Sequence, residues 1–215
     1  MRRILTFGVL LLAATFAPAD PINLSAGLLV SWVPLEGNYQ TVTGSGLTAN
    51  ESFTYETLGV KAFFDFTYGE ASIGFGGAVT QISESETISE TTISMNASWS
   101  LTEITVRLIG KYPFNIGSFT LFPLAGIEKE FCLGGSSGGV AFTSDQTIDV
   151  SPWYLVAGVG GDVKITPRIY ARAELTAAYN LTSEFAPSFY SAQSAIYQSS
   201  TGWEIELAAG IGFLL

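Results

Sequence analysis

The sequence predicts an all-β fold, an eight-stranded antiparallel up-and-down barrel of the membrane-spanning kind. Three observations predict it. Beyond residue 20 apolar residues recur with period two, and no window sustains a helical period. Eight such segments follow one another, each of about ten residues, the length a tilted strand needs to cross a hydrocarbon core. The connections between them alternate long and short. Composition agrees: of 215 residues 47% are hydrophobic and only 13% charged, which excludes disorder.

The chain opens with an address. Arg2 and Arg3 precede an apolar stretch over 4–16, and Ala17-Pro18-Ala19 supplies the small residues of a cleavage site. Residues 1–19 are therefore expected to be a cleaved signal peptide, and 20–215 the barrel domain. The apolar stretch is too short for a spanning helix, which needs about 20 residues. Without the two arginines, the formal charge of −10 becomes −12.

In the first strand Leu24, Ala26, Leu28, Val30 and Trp32 share one face, with Ser25, Gly27, Leu29 and Ser31 on the other. The second sets Leu58, Val60, Ala62, Phe64 and Phe66 against Lys61, Phe63 and Asp65; the third sets Ile73, Phe75 and Val79 against Ser72, Gly74 and Gly76. The fourth opposes Ile104, Val106 and Leu108 to Glu103, Arg107 and Lys111, and the fifth opposes Phe119, Leu121 and Ile127 to Phe122, Leu124, Glu128 and Glu130. Pro123 interrupts the fifth, because it lacks a ladder donor. Trp153, Leu155 and Val159 face away from Val156, Gly158, Gly160 and Asp162 in the sixth. The seventh divides Ala173, Leu175 and Tyr179 from Arg172 and Glu174; the eighth divides Trp203, Leu207, Ile211 and Phe213 from Glu204, Glu206, Gly210 and Gly212.

Three connections, 68–70, 113–118 and 164–168, read as tight turns. The four between them, 34–52, 83–98, 133–151 and 182–201, are rich in Ser, Thr, Gly, Asn and Gln and read as long solvated loops. This matches short periplasmic turns and four long extracellular loops. Tryptophan placement fits, since amphipathic rings prefer the membrane interface. Trp32, Trp99, Trp153 and Trp203 all fall at the outer rim of this topology, and Tyr68, Tyr112, Phe119 and Phe213 at the inner one.

With the apolar face toward lipid, Lys61, Asp65, Glu103, Arg107, Lys111, Glu128, Glu130, Asp162, Arg172, Glu174, Glu204 and Glu206 point into the lumen, because each is costly in lipid. Eight strands enclose an interior just wide enough for side chains to fill, so a plugged, salt-bridged lumen is expected. Gly74, Gly76, Gly158, Gly160, Gly210 and Gly212 would make room for the long charged groups. Other functions are excluded more directly. The chain has 19 acidic and 9 basic residues and no histidine. The acidic balance disfavours nucleic acid, and the missing imidazole removes His-dependent triads and His metal sites, so no catalytic, cofactor or metal site is expected. A lone Cys132 forms no internal disulfide.

The segments from Lys111-Tyr112-Pro113-Phe114 through Phe122-Pro123-Leu124-Ala125-Gly126-Ile127-Glu128, and from Ala157-Gly158-Val159-Gly160-Gly161-Asp162 through Pro167-Arg168 to Glu174-Leu175, resemble the strand motifs of small bacterial outer-membrane barrels of the OmpA, OmpX and OmpW type. The resemblance spans the mature chain. It implies residence in the outer membrane among its lipids, and assembly by the barrel-assembly machinery through the last strand, where Leu207, Ala209, Ile211 and Phe213 fit although the chain ends in Leu215 rather than an aromatic. It also implies a non-enzymatic role, structural or in surface interaction, with host or environmental ligands at the loops. Barrel enzymes of this architecture generally use a histidine. Two other readings stay open: an OmpW-like narrow conduit for small or hydrophobic solutes, kept alive by inward Leu29, Phe63, Leu101, Ile109, Phe122, Leu124 and Val156, and a soluble exported lipid-binding barrel with the faces reversed.

Overall fold

The computed structural model describes residues 24–42, 48–88, 91–137, 139–144, 147, 151–182 and 202–215. Ten strands form there: β1 (Ser25–Val42), β2 (Thr48–Phe66), β3 (Gly69–Ile88), β4 (Thr91–Lys111), β5 (Phe114–Ile116), β6 (Phe119–Ser137), β7 (Val140–Ala141), β8 (Trp153–Lys164), β9 (Ile169–Asn180) and β10 (Trp203–Leu214). The eight long ones pair in the order β4-β3-β2-β1-β10-β9-β8-β6, and β6 returns to pair with β4, so the sheet closes. Every pairing is antiparallel, and β5 and β7 are short flaps on β6.

The register fixes the barrel's width. Following paired residues round the ring from Leu214 through Ser25, Asp65, Glu70, Ile109, Gly126, Val156 and Ala178 returns to β10 at Glu204, ten residues from the start. A stagger of ten over eight strands tilts them by about 40°, within the range closed barrels adopt, and leaves an interior that side chains can fill.

The wall is apolar outside and polar inside. On β2, Leu58 is 63% exposed while Lys61, three residues on, is 2% exposed. Val30, Phe75, Leu108, Leu155, Leu175 and Ile211 continue the exposed apolar surface on other strands, and Lys61, Arg107, Arg172 and Glu206 are buried behind it. The faces are thus not those of a barrel holding lipid inside.

The connections differ from expectation in several places. Segments 34–52 and 83–98, read as loops, are mostly paired strand: β1 and β2 stay in register from Ser25↔Asp65 to Val42↔Thr48, and β3 and β4 up to Ile88↔Thr91. Their Thr, Val, Ile and Tyr content favours strands, and antiparallel neighbours need only a tight turn to continue. Within 133–151, β6 also runs on to Ser137 and receives β7. The first tight turn is Thr67 and Tyr68; Gly69 and Glu70 already belong to β3. Segment 113–118 holds β5, which folds onto β6 through Gly117 at φ +64°, a left-handed conformation that suits glycine. Pro123 fits because its carbonyl accepts Tyr112 N–H at 3.2 Å, so its own nitrogen faces the side where β4 has already ended. Residues 1–19 and 183–201 lie outside the described residues.

Candidate functional site

The interior charges form layers along the barrel axis. Arg172 organises the layer nearest the tight turns. Register places it on β9 opposite Asp162 of β8 and Gly210 of β10. Its Nε and Nη2 donate to the two Asp162 oxygens at 2.7 and 2.8 Å, a bidentate fork. Nη2 also donates to Asp65 Oδ2 and Nη1 to Glu70 Oε2, each at 2.7 Å, with Glu174 Oε1 3.8 Å from Nη1. Lys111 pairs with the other oxygen of Asp65. One guanidinium thereby joins its own strand, β9, to β8, β2 and β3.

Aromatic rings seat that guanidinium. Its central carbon lies 4.5 Å from the Phe63 ring centre, 5.0 Å from Phe122 and 5.3 Å from Tyr170, distances at which the ring quadrupole attracts a cation. The Tyr170 hydroxyl is hydrogen-bonded to Ser25 Oγ at 2.7 Å. Interior glycines make this possible: a Cβ on Gly212 would overlap the Tyr170 ring, and one on Gly160 the Phe122 ring. The interior glycines thus accommodate rings as well as charges: Gly74 stands opposite Lys61, Gly76 opposite Glu103, Gly160 opposite Glu174 and Gly210 opposite Arg172.

In the next layer Glu206 joins Lys61, 2.6 Å away at Nζ, to Arg107, which also binds Glu128. Thr176 Oγ1 donates to Glu206 at 3.3 Å. Beyond it, toward the long hairpins, Glu204 accepts from the Tyr154 hydroxyl at 2.6 Å. Glu103, Glu130, Glu204, Ser31 and Thr57 border a cavity of about 30 Å³, room for roughly two waters. Leu124, Val156, Ile109 and Ala178 pack with Phe122 and Tyr154 between these layers.

The side chains of all twelve charged positions named from the sequence turn to the inside of the ring, with that of Asp162 less enclosed than those of its neighbours in the Arg172 layer. Glu70 and Tyr154 join the site beyond the residues the sequence names, and Ser25 and Tyr170, on the inward face as the alternation predicts, contribute a hydrogen bond and a ring. Glu70 stands in phase with inward Ser72, Gly74 and Gly76 rather than in the turn. Trp32, Trp153 and Trp203 lie on the outer surface toward the long hairpins; Tyr112, Phe119 and Phe213 lie on it toward the turns, with the Tyr68 ring 6.1 Å from that of Tyr112. Trp99 is in β4 opposite Thr80 and Ser137, but its side chain lies outside the described residues.

Tyr154 is fully buried, so Tyr154→Phe removes a donor from a buried carboxylate while keeping the ring. The expected cost is about 1–3 kcal/mol, read as an earlier urea-unfolding midpoint in lipid vesicles. An unchanged midpoint would show that the hydroxyl contributes nothing.

No protein family and no curated protein matches the chain. Solved structures do. Neisserial surface protein A is 12% identical with a TM-score of 0.47, over 89% of this chain and 97% of that one. The outer membrane protease OmpT of Escherichia coli is 11% identical with a TM-score of 0.47, over 94% and 100%. The Escherichia coli outer membrane protein W is 14% identical with a TM-score of 0.40, over 92% and 100%. The likeness is one of fold, and the strand ladder itself establishes that the chain is a closed eight-stranded antiparallel barrel with a charged interior.

Proposed function

We propose that the protein is an integral, non-enzymatic barrel of the bacterial outer membrane, exported through a cleaved signal peptide of residues 1–19. Its tight turns face the periplasm and its long hairpins the outside. Its role is structural or one of surface interaction, exercised through the hairpins toward host or environmental ligands, and the last strand, β10, serves as the handle for the barrel-assembly machinery. The observation that carries this reading is the inverted distribution of polarity, with exposed Leu58, Val60, Phe64 and Phe75 around buried Lys61, Asp65, Arg107 and Arg172. In water such a surface would be an aggregation hazard; in lipid it is the required one. The missing histidine supports the non-enzymatic reading.

Fractionation tests it. The protein is expected in outer membranes, migrating differently in SDS gels before and after boiling; recovery as a soluble periplasmic protein would sink the proposal. The filled interior also predicts silence in single-channel recordings after reconstitution, since the Arg172 and Glu206 layers cross the lumen. Discrete, reproducible conductance steps would replace the structural role with that of a narrow conduit.

A further inference from the structure

Lys129 departs from the pattern of the other cations. It lies on the outward face of β6, between Glu128 and Glu130, which are buried on the inward face. Of the nine basic residues, Arg2 and Arg3 belong to the leader, Lys61, Arg107, Lys111 and Arg172 are in the lumen, and Lys164 and Arg168 lie at the β8–β9 turn. Segments 33–56, 78–102, 130–152 and 180–202 contain no lysine or arginine. Lys129 is thus the one positive charge on the outside of the wall at the hairpin end among the described residues.

Its ammonium is held in place. Nζ donates to the Ser151 carbonyl and lies 5.4 Å from the Trp153 ring centre and 5.6 Å from that of Phe131. Ser151 is itself braced, its Oγ donating to the Thr147 carbonyl at 2.8 Å and accepting Cys132 N–H at 3.0 Å. A lysine ammonium has three donors, and the Ser151 carbonyl occupies one. Below it, toward the middle of the apolar belt, the exposed side chains of Val106, Ile127 and Leu155 line the wall. A cation at an aromatic rim above an apolar wall matches a lipid in shape and chemistry: an anionic head above acyl chains.

We propose that Lys129, fixed by Ser151 between Phe131 and Trp153, docks the phosphate of a lipid headgroup in the outer leaflet. The inference rests on the outer-membrane reading above. The source is a lipid rather than free phosphate because the chain's net charge of −10 repels soluble anions, whereas acyl chains deliver a headgroup to this height regardless.

The test uses the full chain refolded in neutral detergent, with native mass spectrometry after adding phosphorylated lipid A or its dephosphorylated counterpart. Wild type is expected to retain about fivefold more of the phosphorylated lipid, the contribution of one lysine near a charged headgroup layer. Lys129→Gln removes that preference, Lys129→Arg keeps it, and Lys164→Gln, at the opposite end, leaves it unchanged. Equal retention of both lipids by wild type overturns the proposal and needs no variant to fold. So does an undiminished preference in Lys129→Gln. Heat-modifiable migration of the same samples reports separately whether the barrel is intact, so absence of lipid preference in an intact wild-type barrel counts against this inference alone.

Discussion

Replacing Arg172 with methionine is expected to destabilise the barrel by about 3–5 kcal/mol, because it removes the guanidinium hydrogen bonds that hold buried carboxylates. Methionine preserves much of the volume between Phe63, Phe122 and Tyr170, so the loss isolates charge rather than space. Asp162 loses a bidentate partner, and Glu70 loses its 2.7 Å bond from Nη1. Asp65 keeps Lys111. A second change, Asp162→Asn, is expected to recover part of the loss, since it removes one of the stranded carboxylates. Urea unfolding from lipid vesicles reads both effects. A shift in Arg172→Met below about 1 kcal/mol, the size typical of an exposed pair, would show that the layer is hydrated and not a sealed plug.

Gly212→Val is expected to be nearly as damaging for a steric reason. Gly212 of β10 is flanked by Tyr170 of β9 and Gly27 of β1, and any Cβ there enters the Tyr170 ring. The ring is 4% exposed and tied by its hydroxyl to Ser25, so it has nowhere to retreat without releasing Ser25 and the face it turns to Arg172. Overpacking of this kind costs roughly 1–3 kcal/mol, and the lost seat adds to it. Gly134→Ala is the control, because nothing lies within 4 Å of a Cβ at that position. The fraction of protein that migrates as a compact band before boiling should fall for Gly212→Val and stay level for Gly134→Ala. An equal fall in both would point to strand propensity rather than collision with Tyr170.

Face assignment was legible in the sequence because a period of two admits no compromise: once Leu58 faces out, Lys61 faces in, and a one-residue slip would invert the whole strand. What stayed hidden depends on distance across the ring. Arg172 meets Asp65 and Glu70 from strands more than a hundred residues earlier in the chain, contacts set by the ten-residue stagger and not by any local motif. The aromatic seats stay hidden for the same reason, since only the register shows that Tyr170 lies over Gly212. The long hairpins were misread for a different one. Ser and Thr serve loops and solvent-facing strands equally, and composition weighs solvation without seeing that β1 and β2 keep pairing to Val42↔Thr48. Glu70 was lost to an error of two residues in placing a turn.

The seam between β1 and β10 carries a kinetic consequence. It joins Ser25 to Leu214, nearly the ends of the described chain, so it is the pairing with the greatest separation in sequence. Several interior bonds wait for that pairing: Lys61 and Arg107 meet Glu206 only when β10 arrives, and Asp65 meets Arg172 only when the ring is bent round. Folding should therefore be slow at its last step, as long-range pairing generally is. Escape should be slower still, because reopening the seam must rehydrate Glu206 and both of its cations at once.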